Sequence, residues 1–148
     1  MNKTLVVGAV AAMIAAGAYY VTQGGGVTST SGADNTTAPA QAGAMVAVTR
    51  PEQLSQQAQM GKRAFEAVCA ECHGQNAAGK TGKGPPLIHK IYEPSHHSDM
   101  SFQLAVQNGV RAHHWDFGNM PSQDGLTKAD VTAITAYVRE VQQANGIN

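Results

Sequence analysis

Cys69-Ala70-Glu71-Cys72-His73, CAECH in one-letter code, contains the only two cysteines of the chain, with a histidine directly behind the second. On a helical turn, residues three and four apart share a face. Cys69 and Cys72 therefore point the same way, and His73 follows Cys72 while lying above Cys69. A disulfide between these cysteines would close a very short loop and stabilise little. A C-x-x-C redox pair needs a strand in front and a βαβ setting, and no convincing strand is readable. A zinc site takes four ligands, usually with another close Cys or His pair. His96-His97 and His113-His114 are adjacent pairs and match that spacing poorly.

A different chemistry uses all three groups at once. Two thiols can add across the two vinyl groups of a haem as thioethers, and the next imidazole then reaches the iron. C-x-x-C-H is the spacing of c-type haem attachment. Covalent linkage suits an exported protein, because the cofactor cannot be lost to dilute surroundings.

The rest of the composition agrees. All six histidines lie between His73 and His114, and four of the six methionines (Met45, Met60, Met100, Met120) lie in or after the linker described below. Cys, His and Met bind soft or borderline metals. The 148 residues carry no net charge with His neutral, so nothing points to nucleic acid or to a polybasic membrane-surface segment. Aromatic content is only 5%, and a small chain with few aromatics often depends on a disulfide, metal or cofactor to complete its core.

The N-terminus differs from the remainder. Lys3 is the only charge in residues 1–21, and Leu5 to Val21 has no strongly polar group. One reading is a cleaved signal peptide, with Ala16-Gly17-Ala18 as the small-residue site. The other is an uncleaved anchor: its apolar run, at a helical rise of about 1.5 Å, reaches roughly 25 Å, the lower limit for spanning. Tyr19 and Tyr20 would suit the membrane interface. Either reading implies export with Lys3 on the cytoplasmic side. Residues 22–49, rich in Gly, Ser, Thr, Ala and Gln, read as a flexible linker. A linker of this length suits a tether and favours the anchor. Residues 50–148 then form the domain, with nine basic and nine acidic residues.

Three helices are readable in the domain. The first is expected from Pro51 into CAECH, with Leu54, Ala58, Gly61, Phe65 and Val68 on one face. The second runs near Asp99 to Asn108, capped by Ser98, with Phe102, Ala105 and Val106 inward and Gly109 ending it. The third has Thr127 as N-cap, Asp130 completing a capping box and Leu126 with Val131 as staple. Its buried stripe is Val131, Ile134, Val138 and Val141, and Asn145-Gly146 stops it. Residues 74–94 and 109–125 read as loops.

From about Gly61 to Asn145 the chain resembles the class I cytochrome c family. The resemblance rests, in order, on Gly61 and Phe65, on CAECHG at 69–74, on Gly84-Pro85-Pro86-Leu87, on Gly118-Asn119-Met120-Pro121, and on Ala133 to Arg139 in the last helix. It implies an all-α fold of about three main helices around one covalently attached haem c. Cys69 and Cys72 would carry the thioethers, and His73 and Met120 would be the axial ligands, with Met100 as the other methionine to weigh. The resemblance further implies that the Pro85 carbonyl accepts the Nδ1–H of His73 and that Tyr137 packs across Gly61 and Phe65. Trp115 would donate to a haem propionate or cover the haem edge. His113 and His114 leave His–His ligation open, or one of them meets a propionate and the other faces solvent. His89, His96 and His97 are expected in solvated loop, and Met60 packed on the first helix. Lys80, Lys83 and Lys90 would flank the haem edge, either to steer an acidic partner or merely as a solvated loop.

The expected function is a monohaem electron carrier and not an enzyme. It would pass single electrons between respiratory redox partners in the periplasm or at the outer face of the inner membrane, attached through the N-terminal segment. Two alternatives stay open: a fixed cytochrome subunit of a larger dehydrogenase or oxidase, and a small-ligand binder or peroxidase-like enzyme with an open sixth site.

Overall fold

Ser55 starts the first helix. Its hydroxyl accepts from the Ala58 N–H at 3.1 Å, the usual service of an N-cap serine. α1 then spans Gln56–Ala64. Its start lies downstream of Pro51 because Ser55 is itself held from across the fold: Glu140 accepts from the Ser55 N–H at 3.0 Å and from its hydroxyl at 2.6 Å. The computed structural model describes residues 42–148, and residues 1–41, which hold the apolar segment and most of the expected linker, lie outside them.

α1 passes without a break through a wide turn, Phe65–Cys69, into α2, Ala70–His73. In the wide turn the Ala70 N–H bonds to the Phe65 carbonyl, one residue further back than in an α-helix. Such single turns shift the register of everything after them. Ala58, Gly61 and Phe65 keep the buried face expected of them, but Val68 is 36% exposed and Cys69 is turned against the core. Met60, expected to pack on this helix, faces outward.

α3 spans Asp99–Asn108 and α4 spans Lys128–Ala144. Ser98 stands at the N-cap of α3 but makes no side-chain capping bond. In α4 the capping box forms in full between Thr127 and Asp130. Val131, Ile134, Val138 and Val141 are all buried, together with Tyr137 and Gln142. Among the described residues there is no strand, only two isolated bridges, Lys80 with Gly84 and Val110 with Met120. The fold is all-α, as expected.

The core forms where α1 crosses α4. A Cβ at Gly61 would stand 1.8 Å from the Ala133 carbonyl oxygen, so only glycine permits the two backbones to approach this closely. Beside this contact the Phe65 and Tyr137 rings meet at 5.6 Å. Burial pushes the Tyr137 phenol up to about 12, the Glu66 carboxylate adds to the rise and Arg50 opposes it.

Two further ties set the positions of the loops. Gln142 is fully buried and donates to the carbonyls of Leu87 and Tyr92. Arg139 holds the same region, bonding to the Tyr92 carbonyl, the His97 carbonyl and the Asp99 carboxylate. The expected boundary at Arg50 moves upstream. The amides of Met45 and Val46 bond to the Ala78 carbonyl, Val48 is 8% exposed, and Thr49 is bonded in both directions to Asn145. Residues 43–49 therefore belong to the packed domain, because Val48 has apolar surface to bury and Asn145 supplies the backbone partners.

Candidate functional site

The CAECH turn lies at the edge of an apolar cavity of about 440 Å³, within the range of roughly 300–1,000 Å³ usual for ligand and cofactor sites. Phe65, Cys69 and His73 enter it from the first helical run, Leu87 from the following loop, and Val131 and Ile134 from α4. α3 adds its expected inner face, Phe102, Ala105 and Val106.

His73 is oriented by the chain itself. Its Nδ1 lies 2.9 Å from the Pro85 carbonyl oxygen, and this acceptor makes Nδ1 the protonated nitrogen and leaves the Nε2 lone pair free. Burial lowers the His73 imidazole below its ordinary value, and the bond to Pro85 opposes this. The loop carrying Pro85 is in turn fixed by the Leu87 and Ile88 amides, which donate to the Ala77 carbonyl at 2.9 and 3.3 Å. Ala77 presents that carbonyl from a left-handed conformation, φ +59°, next to Asn76 at φ +54°. Both positions are uncommon for residues with a Cβ.

Cys69 and Cys72 form no disulfide. Burial, with a smaller contribution from Cys72, pushes the Cys69 thiol up to about 11. Cys69 lines the cavity, whereas Cys72 is exposed and lies outside the lining.

Met120 reaches the same cavity from the loop after α3. Its backbone is paired with Val110 through two bonds of 2.9 Å. A Cβ at Gly109 would come within 2.5 Å of the Met120 carbonyl oxygen, so the glycine that ends α3 also admits the methionine segment. Met100 is 62% exposed and is absent from the lining.

Trp115 also lines the cavity, and its buried indole N–H has no acceptor within hydrogen-bond geometry among the described residues. Its polar neighbour is Tyr92: burial raises that phenol, and a long polar contact with the Trp115 indole N–H offsets part of the rise. Tyr137 does not line the cavity. It acts at one remove, through its contact with Phe65.

The histidines depart furthest from expectation. His89 is half-buried, not solvated: its Nδ1 accepts from the Ile91 N–H at 3.2 Å and its ring meets Trp115 edge-on at 5.2 Å. His96 and His97 pack against His114, each at a ring distance of 5.4 Å. Nothing in the spacing of the two pairs shows that the loops converge. Lys80 donates to the Glu71 carbonyl, and none of Lys80, Lys83 and Lys90 lines the cavity.

The residues present suit a covalently held haem. The two cysteines stand beside an imidazole with a free nitrogen, and Cys69 and that imidazole line an apolar cavity that also takes Met120 and the buried indole N–H of Trp115. The cytochrome c family matches residues 58–142, more than half of the 148-residue chain. No curated protein and no solved structure shows significant similarity to it. The chain belongs to the cytochrome c family, and its cofactor is covalently bound haem c with its iron.

Proposed function

We propose that this protein is a carrier of single electrons between redox proteins, with His73 and Met120 as the two axial ligands. The observation that carries the reading is the convergence of His73, fixed by Pro85, and Met120, fixed by Val110, on one apolar cavity. Bound haem c supplies an iron that gains or loses one electron. Cys69 and Cys72 would hold the group as thioethers, and His73 Nε2 and the Met120 thioether would bind its iron, the thioether favouring the reduced state. Phe65, Leu87, Val131 and Ile134 exclude water, and the Trp115 N–H is a donor for a carboxylate of the group. Pro85 holds the His73 ring and Val110 holds the Met120 backbone, so the two ligands need not rearrange when the charge changes.

Work on the outer face of a bacterial inner membrane belongs to the same proposal. It is supported by the apolar run Leu5 to Val21 behind Lys3. Among the described residues no helix is long and apolar enough to cross a membrane.

The test is the absorption spectrum of protein matured with haem-attachment machinery, oxidised and reduced, with and without carbon monoxide. A low-spin reduced form that ignores carbon monoxide, with the weak far-red band of a methionine–iron bond when oxidised, is expected. Ready carbon monoxide binding would mean an open sixth position and would overturn the carrier reading in favour of small-molecule chemistry.

A further inference from the structure

Two loops that are unrelated in sequence bring four imidazoles together. His96 and His97 come from the turn before α3, His113 and His114 from the loop before Met120. Ring centroids lie 4.8 Å apart for His96 and His97, and 4.2 Å apart for His113 and His114. One ligand nitrogen from each of His96, His97 and His114 lies within 4.8 Å of the other two. Neither ion pair among the described residues involves any of these rings.

The turn is built before any ligand arrives. The His96 and His97 amides both donate to the Glu93 carbonyl, and the His97 carbonyl accepts from Arg139 of α4. His97 Nδ1 lies 2.6 Å from the Ile91 carbonyl oxygen. That bond fixes the ring and leaves Nε2 as the free nitrogen, the backing that metal-binding histidines usually have. On the other loop the Ala112 amide is held by Asn119 at 3.0 Å.

We propose that His96, His97 and His114 form a binding site for one borderline divalent cation, Zn²⁺ or Cu²⁺, through three imidazole nitrogens with a further position open to water. Imidazole suits these ions, whereas Mg²⁺ and Ca²⁺ require oxygen ligands that the cluster does not offer. In a tetrahedral site with bonds of about 2.0 Å, the nitrogens stand roughly 3.3 Å apart. The cluster must therefore contract. His96 and His114 are exposed and free to rotate inward, while His97 stays fixed as the anchor. His113 is the excluded neighbour: although its Nδ1 meets the Arg111 carbonyl at 2.8 Å much as His97 meets Ile91, it supplies no atom to the triad. The site uses none of the groups assigned to the haem iron, although His97 and His114 also line the cavity.

The experiment is titration of the full-length, haem-loaded ferric protein with ZnCl₂ by calorimetry and with CuCl₂ by electron paramagnetic resonance. One ion per chain is expected, with a Cu²⁺ signal carrying nitrogen hyperfine structure from imidazoles. His96→Ala, His97→Ala and His114→Ala should each weaken Zn²⁺ binding at least about tenfold, since even the partners behind a metal ligand are worth that much. His113→Ala should leave the affinity essentially unchanged. An unaltered visible spectrum in each variant certifies folding, and His114→Gln serves if His114→Ala does not fold. Binding insensitive to the three variants, or equally sensitive to His113→Ala, would overturn the site as diffuse surface affinity. Binding to the haem-free chain alone would overturn it too, by showing that these imidazoles serve the haem.

Discussion

At the scale of single residues, two positions make opposite demands. Met120 is a candidate ligand whose backbone is fixed by Val110 and admitted by Gly109. Its replacement should alter the iron and spare the fold. Met120→Ala is expected to make the reduced protein bind carbon monoxide and to abolish the far-red band, and Met120→His to keep the iron low-spin at a lower potential. Spectra and redox titration read both. Gly61 is the converse case. A methyl group there meets the Ala133 carbonyl, so Gly61→Ala must push α1 and α4 apart. A loss of about 3 kcal/mol, the upper end for overpacking, should appear as a lower denaturant midpoint at unchanged slope.

At the scale of elements, α4 organises the rest. Its start is secured by the capping box, whose geometry gives a pH dependence of known sign. The Thr127 hydroxyl and backbone N–H hold the Asp130 carboxyl below its ordinary value of 3.8, against a smaller opposing effect of desolvation. A depressed folded value stabilises the protein above the unfolded value, and that stabilisation is lost as pH falls through the folded one. Asp130→Asn should therefore flatten the acid limb of the stability curve below about pH 4 and leave its shape near neutrality unaltered. Thr127→Ala, which removes the hydroxyl from both bonds, should cost about 1 kcal/mol. Urea unfolding at a series of pH values checks both. The wide turn between α1 and α2 acts differently: it stabilises no terminus but rotates Cys69 towards the cavity and Val68 away from it.

At the scale of the whole molecule, the two ends of the domain clasp each other. Asn145 bonds to Thr49 in both directions, and Val48 is buried in the core. A chain beginning at residue 42 should consequently be more stable than one beginning at Arg50. Burial of Val48 alone is worth about 2 kcal/mol, and thermal unfolding of the two haem-loaded forms measures the difference. The Glu140 grip on Ser55 joins α1 to α4 at the same end.

Sequence alone determined the local features. Helix periodicity placed α3 and α4, since the 3.6-residue repeat and the caps at Thr127 and Gly109 are written in adjacent residues. The C-x-x-C-H spacing carried the haem chemistry, because one helical turn contains all the groups that act. The family resemblance added Pro85, and its carbonyl does stand at His73. What tertiary structure decided were relations between distant segments: the start of α1 at Ser55, fixed by Glu140, and the docking of residues 43–49 on Asn145 and Ala78. The outward turn of Val68 likewise follows from a wide turn that strict helical periodicity does not foresee. The meeting of His96, His97 and His114 is the clearest case. Adjacent histidines on two loops have no periodicity to betray them, and their rings meet only in the folded chain, where Arg139 ties the first loop to α4 and Asn119 braces the second.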